Sequence, residues 1–204
     1  MRLASMVVLC LFHGSFSAAH AQSVNAGIKG GVNIANIQFV EEEDDIDFDG
    51  RIGFVGGLFV VWPANARIGL QLEALYSQKG AELDAPDAQV KLRLDYLDVP
   101  VMLRVSSAPN SRGAAFQVFG GPSLGIRVRA KANATFEGQS GSSDVGDDLS
   151  RHDVGLVAGA GVELGRFLVD VRHTWGLTNI NRNPDEDDTT IKNRAFAATV
   201  GFRF

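Results

Sequence analysis

The sequence predicts an all-β fold, an eight-stranded antiparallel up-and-down transmembrane β-barrel, on three observations. Apolar residues recur at every second position in eight segments, most of them about 11 to 14 residues long. The connections between those segments alternate short and long, as transmembrane barrels require. Finally, no stretch reaches the roughly 18 to 20 consecutive apolar residues of a spanning helix. The chain has 204 residues, of which 45% are hydrophobic and 21% charged, so disorder is excluded. Its 23 Gly and 13 Phe against 2 Trp and 2 Tyr suit strands that alternate small inward residues with larger outward ones.

Residues 1–21 read as an export signal: Arg2, then an apolar run from Met6 to Phe12, then the small-x-small cleavage pattern Ala19-His20-Ala21. Leu9 before Cys10 is too large for a lipidation signal. Cleavage leaves residues 22–204 as the barrel domain, with no cysteine and hence neither disulfide nor thiol nucleophile.

Each strand follows from a period of two. In 24–35, Val24, Ala26, Ile28, Val32 and Ile34 share one face and Asn25, Lys29 and Asn33 the other. In 51–62 the apolar face is Ile52, Phe54, Leu58, Val60 and Trp62. In 67–79, Ile68, Leu70, Leu72, Ala74 and Tyr76 oppose Arg67, Gln71, Glu73, Ser77 and Lys79. The fourth segment, 91–105, keeps Leu97, Val99, Val101, Leu103 and Val105 together, and its apolar phase switches near Tyr96, which predicts a bulge there. In 114–131, Phe116, Val118, Leu124, Ile126 and Val128 face away from Gln117, Ser123 and Arg127. The last three are 151–164, 167–177 and 192–204. The closing one sets Phe196, Ala198, Val200, Phe202 and Phe204 against Thr199 and Arg203.

Such lengths exceed the roughly five or six residues of a soluble strand and match a tilted bilayer crossing. A soluble barrel would show the same alternation with the opposite sense. The composition of the two faces favours the membrane. The polar face mixes Gly with Lys29, Glu73, Arg104, Arg127, Glu163, Asp170 and Arg172, as a narrow lumen of paired charges would, while the apolar face is nearly free of charge.

Short connections are expected at 63–66, 106–113 and 165–166, and long ones near 40–49, 81–90, 132–150 and 178–190. The four long stretches contain 18 of the 24 acidic residues and, of the 19 basic ones, only Arg182. One rim is therefore strongly negative. Arg67, Arg104, Arg112, Arg166 and Arg203 gather toward the other.

With these residues placed, the chain resembles the PorT-like outer-membrane β-barrels of Bacteroidetes-type bacteria, related in architecture to small OmpA- and OmpX-type barrels. The resemblance is carried by Gly27-Ile28-Lys29-Gly30-Gly31-Val32-Asn33, Leu75-Tyr76-Ser77-Gln78-Lys79-Gly80, Tyr96-Leu97-Asp98-Val99-Pro100, Gly120-Gly121-Pro122 and the terminal Val200-Gly201-Phe202-Arg203-Phe204. It implies an outer-membrane location. It also implies that Phe196, Phe202 and Phe204 form the last-strand signal read by the outer-membrane assembly machinery. One branch of the family is associated with protein secretion.

Motifs for chemistry are few. Gly121-Pro122-Ser123-Leu124-Gly125 matches the Gly-x-Ser-x-Gly elbow, yet lies inside a strand where the required strand-to-helix turn is absent. His173 is weighed as a bilayer-facing catalytic residue, but Thr174 and Trp175 supply no serine or carboxylate on its face, so an interfacial aromatic-belt position is expected. Asp45, Asp47 and Asp49 copy the start of an EF-hand loop, and Gly56 stands where its closing Glu belongs. Weak association of Ca²⁺ or Mg²⁺ with the acidic rim is the metal expectation. Net charge and the lack of a basic patch interleaved with aromatics disfavour nucleic acid. The glycines do not fit a dinucleotide fingerprint, and no cofactor is expected.

The expected function is a non-enzymatic surface, scaffold or secretion-accessory role through the acidic loops. Its expected partners are outer-membrane lipid, the assembly machinery and other envelope or secretion proteins. A narrow channel or small-solute carrier is the alternative, and a lipid-modifying enzyme the second. Eight strands leave an interior only wide enough for side chains, which disfavours general porin conduction.

Overall fold

The computed structural model describes residues 24–40, 49–85, 88–136, 139–144, 146, 150–179 and 190–204. Nine strands lie among them: β1 (Asn25–Val40), β2 (Asp49–Pro63), β3 (Ile68–Ala85), β4 (Ala88–Ser106), β5 (Ala114–Phe136), β6 (Gln139–Asp144), β7 (His152–Leu164), β8 (Phe167–Gly176) and β9 (Thr190–Arg203). All pairings are antiparallel. Each strand of the wall pairs with its sequence neighbours, β5 passes to β7, and β9 pairs with β1. Eight strands thus close a barrel, which leaves no free edge in its wall. The predicted export signal lies outside the described residues.

The ninth strand is a correction. The sequence reading leaves 132–150 as a loop, whereas β5 runs on to Phe136 and folds back as β6, which pairs only with the outer end of β5. Likewise 81–90 is not a long loop: β3 and β4 continue their ladder to Ala85 opposite Ala88. Polar and acidic residues here hide strand character from a hydrophobic pattern, because above the membrane neither face of a hairpin needs to be apolar.

The alternation has an inverted sense, apolar outside. Ile52, Phe54, Leu58, Leu103, Phe116, Val118, Val169 and Val200 are each more than half exposed. Inside, Phe59, Leu75, Leu94, Tyr96, Met102, Phe119 and Leu168 are buried together with charged and amide side chains. This core fits only because glycines face its rings. A Cβ at Gly27 would stand 2.5 Å from the Phe59 ring, and one at Gly159 would stand 2.5 Å from the Phe119 ring.

The bulge predicted near Tyr96 is present at that register, but the neighbouring strand carries it. Asp95 pairs with Arg129 and Tyr96 with Arg127, so Val128 of β5 is the extra residue. In β4 the pleat keeps its phase: Leu94, Tyr96, Met102 and Arg104 are all buried at even positions. The apolar switch read in β4 arises because Leu94 and Tyr96 fill the lumen at that level. Short-turn connections are tight, the sharpest being Gly165-Arg166 between β7 and β8, where Gly165 has φ +60° and spares any side chain left-handed strain.

Candidate functional site

The lumen holds three tiers of polar side chains. The lowest sits at the short-turn end, which in outer-membrane barrels is periplasmic. Glu163 of β7 accepts from Arg104 of β4 and from Arg203 of β9, and Arg104 Nε donates to Ser106 Oγ at 3.2 Å. Two guanidiniums on one carboxylate leave this mouth net positive. It opens into a cavity of about 410 Å³ whose lining includes Arg67, Arg104, Glu163 and Arg203.

Above it lies a closed cycle of four charges. Lys29 Nζ is 2.7 Å from Glu73 Oε1 and 2.8 Å from Asp170 Oδ2. Arg172 Nη1 is 2.5 Å from Glu73 Oε2, and Arg172 Nη2 is 2.8 Å from Asp170 Oδ1. Gln71 Nε2 donates to Glu73 Oε1 at 2.6 Å. The residues come from β1, β3 and β8, with β2 or β9 between them in the wall, so the cycle spans the interior. Cations and anions alternate, which cancels the charge. Phe59 and Phe119 lie 5.4 Å from Lys29 Nζ and 5.1 Å from the Arg172 guanidinium, ring to cation. Every one of the four side chains is almost fully buried.

The upper tier was only partly legible. Lys79 Nζ pairs with Asp98 Oδ1 at 2.9 Å and sits 4.7 Å over the Tyr96 ring. Asn193 Nδ2 donates to Asp153 Oδ2 at 2.8 Å and to the Tyr96 hydroxyl at 3.3 Å. Two small cavities of about 10 and 30 Å³ lie beside Asp153 and Asn33, a size that admits a water molecule. Period-two parity already placed Lys79 on the face of Glu73 and Ser77. What it could not supply is the partner, since Asp98 and Asn193 come from strands whose rotation about the barrel is unknown beforehand.

Arg127 is placed differently from the other lumen cations. It is half-buried near the bulge, and its Nη2 donates to Gly146 O at 2.5 Å rather than joining a carboxylate. Asp45 and Asp47 lie outside the described residues, and Asp49 opens β2 opposite Glu82. No group of three or more His, Cys, Asp or Glu able to hold a metal is found among the described residues. Ser123 is buried within β5, in register with Pro100 and Gly155, with no helix after it. His173 faces outward, its ring 4.4 Å from that of Trp175, and its cross-strand neighbours are Ala158 and Phe196. Phe196 and Phe204 face outward, and Phe202 makes edge contacts with Phe167 at 5.4 Å and Phe204 at 6.3 Å.

A closed antiparallel barrel, apolar outside and filled with compensated charge, defines an integral β-barrel protein of the outer membrane. The chain belongs to the family described as outer membrane protein beta-barrel domain, which matches residues 20–182. No curated protein sequence matches it. Among solved structures it is similar to Ail of Yersinia pestis in complex with the heparin analogue sucrose octasulfate, at 19% identity and TM-score 0.45, covering 89% of this chain and 99% of that one. Neisserial surface protein A is 13% identical at TM-score 0.45, covering 88% and 99%. The outer membrane protease OmpT of Escherichia coli is 10% identical at TM-score 0.31, covering 94% and 100%. The protein therefore resides in the outer membrane.

Proposed function

We propose that this barrel is a non-enzymatic surface or scaffold protein that acts through its acidic outer loops on other envelope proteins. The observation that carries the reading is the Lys29–Glu73–Arg172–Asp170 cycle, which occupies the interior with side chains held by two partners each. A filled interior argues against solute passage and leaves the rims as the working surfaces. The acidic stretches, with 18 of the 24 acidic residues, are the larger of these. The finer reading, a secretion accessory, follows the resemblance to PorT-like barrels. Insertion through the assembly machinery would use the aromatic last strand.

A lipid-acting enzyme finds less support. Such chemistry needs a nucleophile and an orienting carboxylate around the histidine, and His173 has an alanine and a phenylalanine across the ladder. The test is purification from native membranes in mild detergent, beside a variant whose acids at 41–49 and 185–188 are changed to their amides. A stoichiometric partner held by the native protein and lost by the variant is expected. Recovery of the barrel alone, with discrete conductance in planar bilayers, would replace this reading with the channel.

A further inference from the structure

Between the apolar belt and the acidic loops, the β4–β5 sector of the outer surface turns strongly basic. Down β4 the outward residues Val105, Leu103, Val101 and Leu97 are exposed and apolar, and the next exposed one is Arg93. Along β5 the exposed Phe116, Val118, Leu124 and Val128 give way to Arg129 and Lys131. Arg151, just ahead of β7, is exposed beside them, its carbonyl accepting from the Arg127 amide at 2.8 Å.

The arrangement sets like charges side by side. Arg93 and Lys131 are direct cross-strand partners, and like charges so placed repel. Directly opposed Cβ atoms stand roughly 5 Å apart, and Arg129 and Lys131 are separated by roughly 7 Å along one strand. Three long cationic side chains thus start close enough for their heads to meet one phosphate group. By register two carboxylates share this face, Asp95, itself buried, opposite Arg129 and Asp144 of β6 opposite Lys131. None of Arg93, Arg129, Lys131 and Arg151 forms an ion pair among the described residues.

We infer that this sector is a binding site for a phosphorylated lipid of the outer leaflet, with Arg93, Arg129, Lys131 and Arg151 on the headgroup phosphate and acyl chains along Leu97, Val101, Leu124 and Val128. Charge complementarity selects the phosphate, since guanidiniums bind it in bidentate fashion. Position selects a lipid over a free anion. The cations begin where the apolar strip ends, the level of headgroups in a bilayer, and the strip below has no use for inorganic phosphate. The extra residue Val128 makes the sector possible, because the bulge turns Arg129 and Lys131 outward where uninterrupted parity would turn them into the lumen.

The test is a titration of the full-length purified protein in zwitterionic micelles with diphosphoryl lipid A, read as a dissociation constant. The triple variant Arg93→Gln, Arg129→Gln, Lys131→Gln is expected to bind roughly a hundredfold more weakly, about fivefold per charge. Lipid with both phosphates removed should bind the native protein as weakly. A control at the other rim, Arg112→Gln with Arg166→Gln, should bind as the native protein does. Native-strength binding by the triple variant, or equal binding of the dephosphorylated lipid, overturns the inference. Displacement by equimolar inorganic phosphate would overturn the lipid source and leave a free-anion site. Should the triple variant lose its heat-dependent gel shift, Lys131→Gln alone is expected to lose about fivefold in affinity, and unchanged affinity rejects the site.

Discussion

Arg172 on β8 and Glu73 on β3 meet inside the barrel with Nη1 2.5 Å from Oε2, although 99 residues separate them in the chain. The contact ties opposite parts of the wall together. It also makes each partner dependent on the other, because a buried charge stripped of its counter-charge keeps its desolvation cost.

Replacing Glu73 by Gln leaves Lys29 and Arg172 with Asp170 as their only shared carboxylate. The expected loss is about 3 to 5 kcal/mol, since Glu73 is 1% exposed. Urea unfolding of the protein refolded in lipid vesicles measures it. Adding Lys29→Met to Glu73→Gln removes one stranded cation and should recover part of the loss, and a double variant no more stable than the single one would contradict the coupled cycle.

Gly159 is the second sensitive point. A side chain there meets Val171 O and the Phe119 ring, both at 2.5 Å, one of them backbone that cannot move aside. Gly159→Val should abolish the compact species that migrates faster unheated than boiled on SDS gels. Gly141→Val, where nothing lies within 4 Å, should leave that shift intact.

Strand β6 stands outside the barrel wall, for it pairs with β5 alone, whereas the β5 arm at 132–136 is also laddered to 88–92 of β4. Deleting 139–144, which removes β6 and leaves the β4–β5 ladder whole, should change thermal stability by no more than about 0.5 kcal/mol, the scale of surface changes. Circular dichroism melts of the vesicle-inserted protein would check this. A large loss would show that β6 braces the wall.

Phe204 tests assembly apart from stability. Its ring is 68% exposed and touches Phe202 at the short-turn end. Phe204→Ala should lower the amount of folded barrel in the outer membrane severalfold while leaving refolding into pure lipid vesicles nearly unchanged. Equal losses in both would assign Phe204 a packing role only.

The strands within the membrane were legible residue by residue because a bilayer forces one face to be apolar, so Val24 to Ile34 or Phe196 to Phe204 could be assigned from parity alone. Beyond the membrane that force is absent. This is why the ladder of 81–85 with 88–92, and the hairpin of 132–136 with 139–144, went unseen. The charged face of the lumen was legible as a set, with Lys29, Glu73, Arg104, Glu163, Asp170 and Arg172 sharing strand parity.

What the sequence by itself determined is which residues each spanning strand turns toward lipid and which toward its neighbours' interior, because alternation is a local property of an extended chain. What only the tertiary structure decided is who meets whom: Lys29 between Glu73 and Asp170, Arg203 beside Arg104 on Glu163, and Arg93 against Lys131. Those meetings depend on the stagger accumulated around the closed sheet and on the residues inserted at Val128 of β5 and between Gly50 and Val55 of β2. Both arise from closing the sheet on itself, and no single strand's sequence contains them.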